Sequence, residues 1–181
     1  MSIAHTWGST PAERARSYPC DRYVLGATDA YYRALTVRAP AARLFRWLCQ
    51  LRVAPYSYDW IDNGGRRSPR ALTPGVEALE VGQSFMRIFR LVEFERGRHV
   101  TLRLPQGSRA ARRFGDLAVT YLALEQGPAQ CRLLVKLVVH HPPGITGSIA
   151  RWLLPWGDLV MMRRQLLTLR ALAEHGAGRA V

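Results

Sequence analysis

Lysine is almost missing from this 181-residue chain: Lys136 stands alone among 26 basic residues, and the rest are arginines. Acidic residues are half as many, at 13, so the formal charge is +13. A surplus of that size raises an anionic membrane or nucleic acid as a partner. Its distribution argues against nucleic acid. The arginines cluster only at Arg66-Arg67, at 109–113 and at Arg163-Arg164, without interleaved aromatics to stack on exposed bases. Cysteine is scarce as well. Cys20, Cys49 and Cys131 are far apart and form no CxxC pair, which excludes a disulfide framework and a thiolate zinc site. Long apolar runs are lacking: the stretch from Trp152 to Met162 is broken by Pro155, Gly157 and Asp158, so no membrane span is expected. Residues 1–30 have no apolar core of a secretory signal, and the expected location is cytoplasmic.

Catalytic signatures are missing too. No GxSxG elbow, P-loop or dinucleotide glycine pattern is present, and no cofactor is expected. His140 and His141 are neighbours on a strand and point to opposite faces, so they do not chelate one ion; no metal is expected.

With 48% hydrophobic and 22% charged residues, the chain has the composition of a folded domain. Residues 1–30 read as a lead-in, 31–176 as one domain and 177–181 as a tail. A strand is expected at Tyr31–Arg38. A helix follows at Ala41–Arg52, where Leu44, Trp47, Leu48 and Leu51 share a face. Period-two alternation then marks a hairpin, Ser84–Phe94 with His99–Leu104, joined by a polar arginine-rich connection at 105–114 to a second, Asp116–Glu125 with Cys131–His141. In the last strand Leu133, Val135, Leu137 and Val139 take one face, and Arg132, Lys136 and His140 mark the other as a wet one. A long helix from Ile145 to Glu174 closes the chain, with an apolar stripe of Trp152, Leu159, Leu166 and Ala173 at intervals of seven, supplemented by Trp156, Met162 and Leu169.

Strands followed by a segregated helix imply an α+β fold, a curved antiparallel sheet wrapped around a long C-terminal helix, with short helices after the first strand. The order resembles the START/polyketide-cyclase superfamily (SRPBCC), and within it a bacterial subgroup, over about residues 30–175. The resemblance rests on Val37-Arg38-Ala39-Pro40-Ala41 before the Trp47 helix, Tyr56-Ser57-Tyr58-Asp59 with Asp62-Asn63, Val81-Gly82, Met161-Met162-Arg163-Arg164-Gln165-Leu166 and Leu172-Ala173-Glu174. It implies the helix-grip fold shared with the birch-pollen allergen. Members bind lipids, polyketides, hormones or other hydrophobic molecules, and a minority catalyse reactions on them.

A twisted sheet diverges from a straight helix and leaves a wedge in which an apolar guest fits. From the sheet, Phe85, Phe89, Val119, Tyr121 and Val135 are candidate lining residues. From the helix they are Trp152, Trp156, Leu159 and Met162, and Tyr56, Tyr58 and Trp60 are candidates for the mouth. Core packing is the competing reading for each. Arg87 and Arg90 interrupt an apolar strand. One of them is expected to face the concavity and to meet Glu93, Asp116 or an acid group on a ligand. Asp59, Asp62, Tyr58 and Arg87 are the candidate acid–base groups, while Asp62-Asn63-Gly64-Gly65 equally reads as a turn. Three functions follow: a binding or carrier domain for a hydrophobic, lipid- or polyketide-like small molecule between sheet and helix; a cyclase or dehydratase using the same cavity; or a basic surface for an anionic membrane or nucleic acid. A homodimer is open.

Overall fold

Apolar side chains at successive positions of the central strands point alternately to the two faces and build two cores, one on each face of a single sheet. The computed structural model describes residues 2–58, 60, 64–141 and 143–175. Helices α1 (Ile3–Thr6) and α2 (Pro11–Arg14) and a 3-10 turn at Pro19–Arg22 form the lead-in. Strand β1 (Asp29–Val37) and helix α3 (Ala41–Cys49) follow, the latter running into a 3-10 turn at Gln50–Arg52. Next come β2 (Ser84–Phe85), β3 (Phe89–Glu95), β4 (His99–Arg103), α4 (Arg109–Phe114), β5 (Asp116–Gly127), β6 (Gln130–His140) and α5 (Ile145–His175). The six strands form one antiparallel sheet in the order β1-β6-β5-β4-β3-β2. Register shifts at Leu91/Glu93 and Glu125/Gly127 add twist.

The inner face carries Leu35 and Val37 of β1, Leu133 and Val135 of β6, Val119 and Tyr121 of β5, Leu102 of β4 and Leu91 of β3. They share one core with α3 and with Met162, Leu166, Leu169 and Ala173 of α5. At about 1.5 Å per residue α5 is about 46 Å long.

The outer face departs from expectation. Instead of being wet, its central part is a second core, in which Ala34, Ala118, Leu122, Leu134 and Val138 pack against Tyr18, Cys20 and Val24 of the lead-in. Lys136 is buried there: its ammonium is 2.6 Å from Asp21 and lies over the rings of Tyr18 and Tyr32. The backbone N–H of Cys20 donates to the Thr120 hydroxyl, itself bonded to Thr101. Arg132 pairs with Glu13, and Arg22 with Glu93. Leu134 and Val138 are the sequence signal for this cover, since they alternate with the charged residues on that face. All three cysteines are buried free thiols, pushed up to about 11 (Cys20, Cys131) and about 12 (Cys49) by burial.

One local expectation is refined and another corrected. Within the polar connection at 105–114, residues 109–114 form a helix, because the Ser108 hydroxyl accepts the N–H of Ala111 and caps it. The strand expected at Ser84–Phe94 is broken into β2 and β3 by Met86 and Arg87, both at positive φ (45° and 66°).

The buried imidazoles give the fold a pH dependence. Burial holds His99 and His141 below the usual 6.5, despite the carboxylates near each. The unfolded chain takes up protons at these groups before the fold does, so their contribution is complete above 6.5 and is lost as pH falls through their folded values. Glu13 and Glu93 add a later loss. Burial alone would raise them, but bonds from Arg132 to Glu13 and from Arg22 and Tyr23 to Glu93 hold both below 4.5. Urea midpoints are therefore expected to be lower at about pH 5.5 than at about pH 7.5, and to drop further below about pH 4.5. A flat profile between about pH 7.5 and 5.5 would contradict this assignment.

Candidate functional site

The segment after α3 is held from inside by polar contacts. Gln50 is fully buried; its amide donates to the Thr73 hydroxyl at 2.9 Å and accepts the Thr73 N–H at 3.0 Å. Tyr56 adopts φ 58°, is buried edge-on against Trp47, and donates its hydroxyl to Pro69 O at 2.7 Å. Gln165 of α5 completes the clamp. Its Nε2 donates to Pro55 O at 2.6 Å and its Oε1 accepts the Tyr121 hydroxyl at 2.7 Å, beside the sulfurs of Met86 and Met162. Burial pushes the Tyr121 phenol far above its ordinary value, so at neutral pH it is a proton-bearing donor, not a base.

This clamp leaves a cleft of about 1040 Å³ between Tyr56, Ser57 and residues 67–70 on one side and the far half of α5 on the other. One wall is Tyr56, Ser57, Arg67, Ser68, Pro69 and Arg70; the other is Arg164, Leu167, Thr168, Ala171, Leu172 and His175. Among the described residues, none of Arg67, Arg70 and Arg164 has a carboxylate at ion-pair distance. The cleft thus joins an apolar strip from α5 to cationic side chains with donors to spare.

A second polar feature fixes the other half of α5. Arg33 of β1 lies on the inner face with 1% of its side chain exposed, and pairs with Asp158 at 2.7 Å. The same guanidinium donates to Tyr32 O and Ala4 O at 2.9 and 2.8 Å and approaches Pro155 O at 3.4 Å. Burial raises Asp158 above the usual carboxylate value, and Arg33 pulls it back.

Several solved structures are similar to this six-stranded antiparallel sheet with its long closing helix. The Zhui aromatase/cyclase from Streptomyces sp. R1128 matches at TM-score 0.53 and 15% identity, over 84% of this chain and 98% of that one. A Thermobifida fusca protein matches at TM-score 0.52 and 13% identity, over 78% and 90%. A Mesorhizobium loti protein matches at TM-score 0.50 and 12% identity, over 84% and 99%. The chain shares the fold of these structures, a helix grip. No family model matches the sequence, and no curated protein matches it.

Within the helix grip, the residues expected to line the wedge fall into separate places. Phe85, Val119, Tyr121, Val135 and Met162 are buried as part of the core, and Phe89 packs against it. Leu159 is half-buried. Trp152, Trp156 and Trp60 are exposed, so these side chains neither fill nor line the interior. The second half of the expected stripe, Met162, Leu166, Leu169 and Ala173, lies in the core, whereas in the first half the covered positions are Pro155 and Asp158 rather than Trp152 and Trp156. Of the mouth aromatics, Tyr56 lines the cleft, Tyr58 is half-buried outside its lining, and Asp59 and Asp62 lie outside the described residues. Arg87 and Arg90 are both exposed: Arg87 sits at the turn that breaks the strand, and Arg90 donates to the Ser84 hydroxyl. Their proposed partners are taken, Glu93 by Arg22 and Asp116 by Arg103. The inward arginine exists, but it is Arg33, whose sequence signal was its place between Tyr31 and Leu35. The cationic cleft residues Arg67, Arg70 and Arg164 were missed because in sequence they look like any surface arginine.

Proposed function

We propose that this helix-grip domain binds or carries a small amphipathic molecule whose apolar part lies on α5 and whose anionic group meets the arginines of the cleft. The observation that carries the reading is the convergence of Arg67, Arg70 and Arg164 on the apolar strip of Leu167, Ala171 and Leu172. It narrows the hydrophobic-ligand expectation in two respects. The site is the cleft at one end of the grip, because the sheet–helix interior is occupied by Phe85, Val119, Tyr121 and Val135. The ligand is also acidic, because a purely apolar guest leaves the guanidinium donors unused.

Thermal unfolding with dodecanoate and with dodecanol tests this. Dodecanoate is expected to raise the unfolding temperature, and dodecanol at the same concentration to raise it much less. The Arg70→Ser/Arg164→Ser variant is expected to lose about tenfold in dodecanoate affinity, a modest figure because the groups are exposed. Equal stabilisation by acid and alcohol, or by the acid in wild type and variant, would overturn the proposal.

A further inference from the structure

We infer that the first half of α5 is a docking face for an anionic bilayer surface. Ile149, Trp152, Leu153, Trp156 and Val160 recur at spacings of three, one, three and four, which places them on one face of the helix. All five are exposed, Trp152 by 72% and Trp156 by 49%. The opposite face of the same stretch is committed: Pro155 is buried, Asp158 is paired with Arg33, and Met162 is in the core. The exposed stripe therefore lies opposite the face of α5 that packs onto the sheet. Soluble monomers rarely leave a contiguous apolar stripe bare, and such stripes mark interaction sites. A shallow cleft of about 600 Å³ beside Gly144, Ser148, Ile149 and Trp152 extends it.

The charges around the stripe select the occupant. Arg151, Arg163 and Arg164 are exposed on α5, and α4, which packs against α5, adds exposed Arg109, Arg112 and Arg113. Only two carboxylates belong to α5. Asp158 is buried in its ion pair, and Glu174, at the far end, accepts the backbone N–H of Arg38. A second copy of the chain packed stripe to stripe would set these arginines against arginines without a carboxylate to receive them, a repulsive arrangement. Nucleic acid would satisfy the arginines but leaves Ile149, Leu153 and Val160 without an apolar partner. An anionic bilayer supplies both: phosphate headgroups for the guanidinium groups and an interfacial zone that indole rings and aliphatic side chains favour. Among the described residues no helix is long and apolar enough to cross a membrane, and a stripe of this kind lies in the interface instead.

The test is sedimentation of the full chain with vesicles of phosphatidylcholine alone and of phosphatidylcholine mixed equally with phosphatidylglycerol. Binding to the mixed vesicles is expected to be tighter by about tenfold or more, because several arginines engage the anionic headgroups, and to weaken with salt. The Trp152→Ser/Trp156→Ser variant is expected to lose about tenfold or more of that binding. Its urea midpoint should stay that of wild type, since both side chains are exposed. Ile149→Ser/Leu153→Ser should behave the same way, which guards against a misfolded first variant. Four results would each overturn the inference: no preference for anionic vesicles, unchanged binding by both variants, a wild-type dimer in sedimentation equilibrium that the tryptophan variant dissociates, or duplex DNA binding that the variant leaves intact in the absence of vesicle binding.

Discussion

Replacing Asp158 by alanine is expected to cost the fold roughly 3–5 kcal/mol, the usual penalty for stranding one member of a buried ion pair. Arg33 would keep its bonds to Tyr32 O and Ala4 O but would hold an uncompensated charge under the helix. The double variant Arg33→Met/Asp158→Leu is expected to recover most of the loss, because apolar packing removes the desolvation cost of both charges. The pair therefore serves placement rather than strength. It ties α5 to β1 in one rotational setting and so decides which face of the helix is covered and which carries Trp152 and Trp156 outward. Urea denaturation checks both variants, and a loss below about 1 kcal/mol for Asp158→Ala would show that the charge finds water and the setting is not fixed.

The second large effect belongs to Gln165. Gln165→Met keeps the volume but leaves Pro55 O and the Tyr121 hydroxyl without their shared partner, at roughly 1–3 kcal/mol for each stranded group. Adding Tyr121→Phe removes one of the two orphans and is expected to restore part of the stability. Dodecanoate binding is expected to fall in both variants, since Gln165 is the link between α5 and the 55–70 segment, the two walls of the cleft. Full stability of Gln165→Met, or unchanged dodecanoate binding in it, would mean that the walls are held elsewhere.

Local periodicity was enough to read the grip itself. The alternation in β5 and β6, the Leu44–Leu51 face of α3 and the length of α5 are patterns within single segments, and each became the element expected. What escaped the sequence depends on distant partners. Arg33 and Asp158 are 125 positions apart, so nothing local marks either as buried. The lead-in shows no sustained periodicity in sequence, yet its Tyr18 and Cys20 make the outer face of the sheet a core. The apolar stripe of α5 was visible, but tryptophan and leucine read alike whether they face a core or solvent, and contacts with distant segments, the Asp158–Arg33 pair and the Gln165 bonds among them, set the rotation. The candidate site differs from the expected one for a related reason. Tyr56 was singled out by its aromatic neighbours, while Arg67, Arg70 and Arg164 acquire meaning only when α5 crosses the segment that carries the first two.

The most direct measurement is a crystal structure of the protein grown with dodecanoate. The carboxylate is expected in the cleft, within hydrogen-bonding distance of Arg70 or Arg164, with the chain along Leu167, Ala171 and Leu172 and the Gln165–Tyr121 contact intact. Density for the ligand between Phe85, Tyr121, Val135 and Met162, with those side chains displaced to admit it, would contradict the cleft as the binding site.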